Sequence, residues 1–178
     1  MDKKEDKIFM EKTFRITEGQ EKKIAHRNLK IVFILLLCMP LIVMLPTLAK
    51  GKIIEGVITC FFSFSIFAAI YYGTRSLSIL IYRNMVFRVN DKFFSREVSM
   101  DESKLNFFHK FQWESNRGKW NKLINLSDIL SLKDQGHSLL IKCKGASSID
   151  GSGMITLPKE IDGYDELENI IRQKANIF

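Results

Sequence analysis

The sequence predicts an α+β membrane protein: a transmembrane helical hairpin, then an antiparallel β-sheet or partial barrel closed by a C-terminal amphipathic helix. Three observations carry this. Two long runs, 31–49 and 56–74, hold no charged residue. From Met85 onward the apolar period shortens to two residues and turn residues recur between short segments. The final stretch, "YDELENIIRQKA", returns to a helical period with one apolar face.

The first run, "IVFILLLCMPLIVMLPTLA", covers about 28 Å as a helix, close to the hydrocarbon thickness of a bilayer. Pro40 and Pro46 break most soluble helices but are tolerated, with a kink, in a membrane helix. A soluble core helix of this length is rarely apolar on every face, and Leu48-Ala49-Lys50 is a poor signal-peptide cleavage site. The second run, "GVITCFFSFSIFAAIYYG", has Glu55 at its entrance, Arg75 at its exit, and Tyr71 and Tyr72 where an interfacial aromatic belt lies. Its helical pattern continues to Arg83. Only "KGKIIE" separates the runs, so both termini fall on one side.

Across 178 residues, 46% are hydrophobic, 26% are charged, and the net charge is +7. The basic excess belongs to the flanks. Six cations (Lys12, Arg15, Lys22, Lys23, Arg27, Lys30) precede the first span and five (Arg75, Arg83, Arg88, Lys92, Arg96) follow the second, against Lys50 and Lys52 in the connection. The positive-inside rule therefore predicts cytoplasmic termini. Basic flanks beside apolar runs point to an anionic leaflet ahead of nucleic acid, and no nucleic-acid partner is expected.

The chain divides into a basic arm (1–30), the two-helix hairpin (31–74) and a cytoplasmic β domain (75–178). In the arm, "KTFRIT" predicts a short strand over 12–16, and Thr17-x-x-Gln20 is a capping-box pattern opening a helix from 18. That strand is positioned to add to the C-terminal sheet. "MVFRVND" and "KFFSREV" read as paired strands about the Asn90-Asp91 turn. "LNFFHKFQWE" reads as a strand with Phe107, His109, Phe111 and Trp113 on one face, and "SNRG" as a hairpin turn into the strand "KWNKLINL". "ILSLKD", "SLLIKCKG" and "MITLP" follow, with "ASSIDGSG" as a loop. Tyr164, Leu167, Ile170, Ile171 and Ala175 form the buried stripe of the last helix. Asp165, Glu166 and Glu168 near its start and Arg172 and Lys174 near its end suit the helix dipole.

This order of elements, with "LSDI" (126–129) and "LPKEIDGYDELENIIR" (157–172), resembles the bacterial YcxB-like proteins. Leu126 stands where that family has Trp, while Leu157-Pro158-Lys159 corresponds closely to its Ile-Pro-Lys. The resemblance implies a pleckstrin-homology-like (PH-like) domain carried on two membrane helices in the bacterial inner membrane. It supplies no catalytic residues and no substrate.

Residue chemistry points away from an enzyme. His26, His109 and His137 are scattered, Cys38, Cys60 and Cys143 have no metal-ligand spacing, and Ser63 and Ser65 lack a base. No cofactor or metal is expected. The best binding candidate is "KFQWESNRGKWNK", where Lys110, Arg117, Lys119 and Lys122 surround a hairpin flanked by Trp113 and Trp120. Cations beside indoles suit anionic headgroups. The plainer alternative is a soluble hairpin whose indoles pack in the core. The sequence thus supports a non-enzymatic inner-membrane protein whose PH-like domain binds a protein partner or anionic lipid headgroups, with membrane lipids as neighbours and homo-oligomers open. The other reading is an immunity or regulatory protein acting through its spans on a membrane toxin or enzyme.

Overall fold

The computed structural model describes residues 11–144 and 153–175, and of Arg117 and Gly118 the backbone alone. The loop expected at "ASSIDGSG" lies almost wholly outside these residues. In chain order the elements are β1 (Lys12–Arg15), α1 (Glu21–Ala49), α2 (Ile53–Arg83), β2 (Met85–Val89), β3 (Phe93–Val98), α3 (Phe107–Trp120), β4 (Lys122–Asn125), β5 (Ile129–Asp134), β6 (Ser138–Cys143), β7 (Met154–Pro158) and α4 (Tyr164–Lys174).

The apolar runs form an antiparallel helical hairpin, and α1 continues through Pro40 and Pro46 without a break. Gly51, at φ 71°, supplies the left-handed turn between the helices. Both helices are long and apolar enough to cross a membrane, and only 6% of the most apolar stretch of each is buried. A soluble helix that is apolar on every face hides most of that surface in a core. Beyond the apolar runs the helices carry charged and polar residues and are tied together. Arg83 Nη2 donates to Glu21 Oε1 at 3.1 Å, and Asn28 Nδ2 donates to Tyr82 Oη at 2.6 Å.

Two antiparallel sheets make up the β domain, in the orders β1-β2-β3-β4 and β5-β6-β7. The N-terminal strand does join the sheet: Phe14 pairs with Phe87 across β1 and β2. The helical hairpin is therefore an insertion between two neighbouring strands. Past β1, Ile16 bridges Ile161, Thr17 N donates to Glu160 O, and Asp162 N donates to Arg15 O, both at 2.9 Å. This stitches the first sheet to the end of the second. The opposite seam stays open, because the 3₁₀ turn Leu126–Asp128 separates β4 from β5. The sheets are not closed into a barrel.

Alternation decides which side chains enter the core. Met85, Phe87 and Val89 point inward from β2, and Asn90 Oδ1 accepts from Lys92 N and Phe93 N to make the turn into β3. Phe87 and Phe94 stack with ring centroids 6.2 Å apart. Leu139, Ile141, Ile155 and Leu157 meet them from the second sheet in one continuous core. Helix α4 seals it with Tyr164, Leu167, Ile170 and Ile171, as its stripe predicts.

Three local expectations are corrected. Residues 107–120 are a helix, so the strand expected at 105–114 and the "SNRG" hairpin do not exist. The run "FFHKFQWE" fits both periods. The helical one turns His109 and Trp113 inward and leaves Phe107 and Phe111 exposed, where a strand puts all four on one face, and Asn106 Oδ1 accepts from His109 N at 2.8 Å as a cap. The strand predicted after it shrinks to β4. The capping box at Thr17 does not form either: Gln20 is the cap residue without a side-chain bond, and helix α1 starts at Glu21.

Candidate functional site

The correction at 107–120 scatters the sequence-derived binding cluster. Lys110 and Lys119 lie exposed on α3. The side chain of Arg117 falls outside the described residues. Trp113 is 2% exposed and its Nε1 donates to Glu102 Oε1 at 3.2 Å, so it belongs to the core. Trp120 is half-buried, edge-on to Tyr82 at 6.0 Å, with the Arg96 guanidinium 5.8 Å above its ring. Lys122 is buried, and its Nζ donates to Met154 O at 2.8 Å, a bond from β4 to β7. Among the described side chains of the six, Trp113 lines a concavity beside Glu97 and Glu102, and Trp120 lines another beneath the helices.

That concavity is a cavity of about 390 Å³ where the inner ends of α1 and α2 meet the β domain. Arg27 and Asn28 come from α1, Tyr82 from α2, Arg96 from β3, His137 from the turn before β6, and Ser138 from β6. A second cavity of about 360 Å³ shares the wall of Asn28, Tyr82 and Trp120 and reaches Thr74 and Gln112. No spacing signal marks this group in the sequence, since its members come from seven helices and strands and one turn.

Each charged member is held in place. Arg27 clamps Glu160 through Nη1 at 2.6 Å and Nη2 at 3.3 Å, and its Nε is buried with no partner among the described residues. Arg96 donates from Nε to Trp120 O at 3.0 Å and from Nη2 to Lys119 O at 2.7 Å. Burial pushes the Tyr82 hydroxyl above its ordinary range, against the Asn28 hydrogen bond and the charges of Arg96 and Arg27. Tyr82 therefore stays a neutral phenol that can donate. No carboxylate is among the lining residues, and the donors (two guanidinium groups, a phenol, an imidazole and amides) suit an anion.

The Arg27–Glu160 clamp carries a pH prediction. Burial alone raises the Glu160 carboxyl, but the Arg27 hydrogen bond, its own backbone N–H and the charges of Arg27 and Lys23 hold it below its ordinary 4.5. The folded chain keeps Glu160 ionised where the unfolded chain takes up a proton. The clamp thus stabilises fully above about pH 5 and is lost as pH falls through the lowered folded-state value. Glu160→Gln is expected to cost about 1 kcal/mol at neutral pH. Thermal melts of wild type and variant should converge in acid; a gap unchanged at low pH refutes the assignment.

Among the described residues no group of three His, Cys, Asp or Glu is placed to hold a metal ion. Compared with known proteins, the chain matches no family model, no curated protein and no solved structure.

Proposed function

We propose that the chain is an integral membrane protein held by the α1–α2 hairpin, with both termini and the β domain in the cytoplasm. Its work is binding: the cavity under the helices takes an anionic, phosphate-bearing group. The observation that carries this reading is a cavity of about 390 Å³ with Arg27 and Arg96 in its wall and no carboxylate lining it. Its position supports a ligand at the membrane surface. Arg27 lies about 6 Å along α1 from the apolar run and Tyr82 about 12 Å along α2 beyond it, near the headgroup layer. The order of strand, two apolar helices, sheets and closing helix is also the one the YcxB-like resemblance implies.

A lipid headgroup and a soluble phosphate compound share this chemistry. Native mass spectrometry of the full chain, released from phosphatidylcholine nanodiscs with and without phosphatidylglycerol, tests the first source. Thermal shift with inorganic phosphate tests the second. Anionic lipid retained in preference to phosphatidylcholine identifies a headgroup, and stabilisation by phosphate alone identifies a soluble ligand. His137→Glu puts a carboxylate at the exposed rim and is expected to weaken either ligand about tenfold. Equal retention of both lipids with no phosphate shift overturns the proposal.

A further inference from the structure

Helix α3 has two faces with opposite demands. Its inward face places His109 and Trp113 against the β domain. Its other side carries Phe107, 90% exposed, Phe111, 65% exposed, and Phe108, 37% exposed. At 3.6 residues per turn these three rings fall within about 100° of arc. Three phenylalanines on one exposed arc of a short helix form an apolar patch that water does not favour.

The location of the patch identifies what covers it. Helix α3 is fastened to α2 at one level: the Phe108 ring lies against Gly73, and Gln112 Nε2 donates to Thr74 Oγ1 at 3.2 Å. Gly73 leaves room for that ring, since a Cβ there meets Phe108 Cε1 at 2.4 Å. From Ile53, the first residue of α2, to Gly73 the helix rises about 30 Å, the thickness of a bilayer's hydrocarbon core. The three rings therefore sit at the inner edge of the apolar zone, continuous with the exposed apolar surface of the hairpin. The charge of α3 complements such a surface. Its sequence carries Lys110, Arg117 and Lys119 against Glu114, an excess of cations that suits an anionic leaflet.

We propose that α3 is an interfacial helix that lies on the cytoplasmic leaflet with Phe107, Phe108 and Phe111 inserted at the boundary between headgroups and acyl chains. Such a foot gives the β domain a third point of attachment besides the two spans. It fixes the tilt of the domain and keeps the adjoining cavities at headgroup level. This inference rests on the membrane-anchored reading above.

The test adds one tryptophan at a time to the full chain in vesicles of phosphatidylcholine and phosphatidylglycerol. Wild type, with Trp113 and Trp120 alone, is the baseline. Phe111→Trp and Phe107→Trp report on α3, Phe64→Trp on the middle of α2, and Leu130→Trp on an exposed site of the β domain. Lipids brominated near the glycerol end of the chain are expected to quench the α3 probes at least about twofold more than Leu130→Trp, while acrylamide quenches Leu130→Trp more strongly. If Phe64→Trp is quenched by brominated lipid but both α3 probes respond only to acrylamide, the interfacial helix is refuted and the anchor stands. The patch then awaits a protein partner. If Phe64→Trp itself escapes quenching by lipids brominated near the chain ends, the anchor and the foot fall together.

Discussion

Trp113→Ala is expected to destabilise the β domain by about 3–5 kcal/mol, the largest single effect available on α3. The indole is 2% exposed and packs with the core, and its Nε1 donates to Glu102 in the turn before α3. Removing it leaves a cavity and takes one hydrogen-bond donor from the Glu102 carboxylate. Trp113→Phe keeps most of the volume and should recover more than half of the loss. Hydrogen exchange of β6 and α4 amides in the detergent-solubilised chain measures the effect, since these elements exchange through opening of the whole core. A headgroup-contacting Trp113, as the strand reading has it, predicts the reverse: unchanged exchange and weaker lipid binding.

Arg96→Met is expected to cost about 2–3 kcal/mol and to loosen the end of α3 before it affects the rest. The last carbonyls of a helix lack internal partners. Here Arg96 reaches two of them, Lys119 O and Trp120 O, from the neighbouring strand while its guanidinium covers the Trp120 ring. Methionine keeps the reach and the apolar stem but supplies no donor. Arg96→Lys should rescue only part of the loss, because an ammonium does not span both carbonyls with the guanidinium's planar geometry. The readout is exchange at 116–120 relative to 139–143. Uniform acceleration across both segments shows that Arg96 supports the whole core instead. The same side chain lines the cavity, so Arg96→Met should also reduce anion retention.

What the sequence made legible follows from how local each signal is. Helix α4 is written in a 3.6-residue stripe with acids first and bases last, and the structure buries that stripe. The apolar runs need no partner to be recognised, because length and composition define them. The Asn90 turn is a two-residue signal and forms through its own side chain. Residues 107–120 failed because aromatic and charged residues alternate there at a spacing that also suits a helix. The deciding feature was the polar cap Asn106, one residue before the run. Lys122 misled for another reason. A lysine beside a tryptophan reads as surface, yet the Met154 carbonyl gives its ammonium an acceptor inside the domain. The cavity was illegible from spacing, since α1, α2, β3 and β6 meet only after the sheets pack.

The insertion of the helical hairpin between β1 and β2 orders events during synthesis. Lys12 and Thr13 leave the ribosome early, but their partners Val89 and Arg88 emerge only after both helices are complete. Until then β1 has no ladder to join, and afterwards β2 offers an open edge until β1 returns. Two long helices packed side by side bring those strand ends together and lessen the entropy of closing so large a loop. On the membrane-anchored reading, insertion of the second helix thereby becomes the step that licenses folding of the water-facing half. A chain arrested with one helix inserted lacks the β1–β2 ladder and so carries an incomplete sheet.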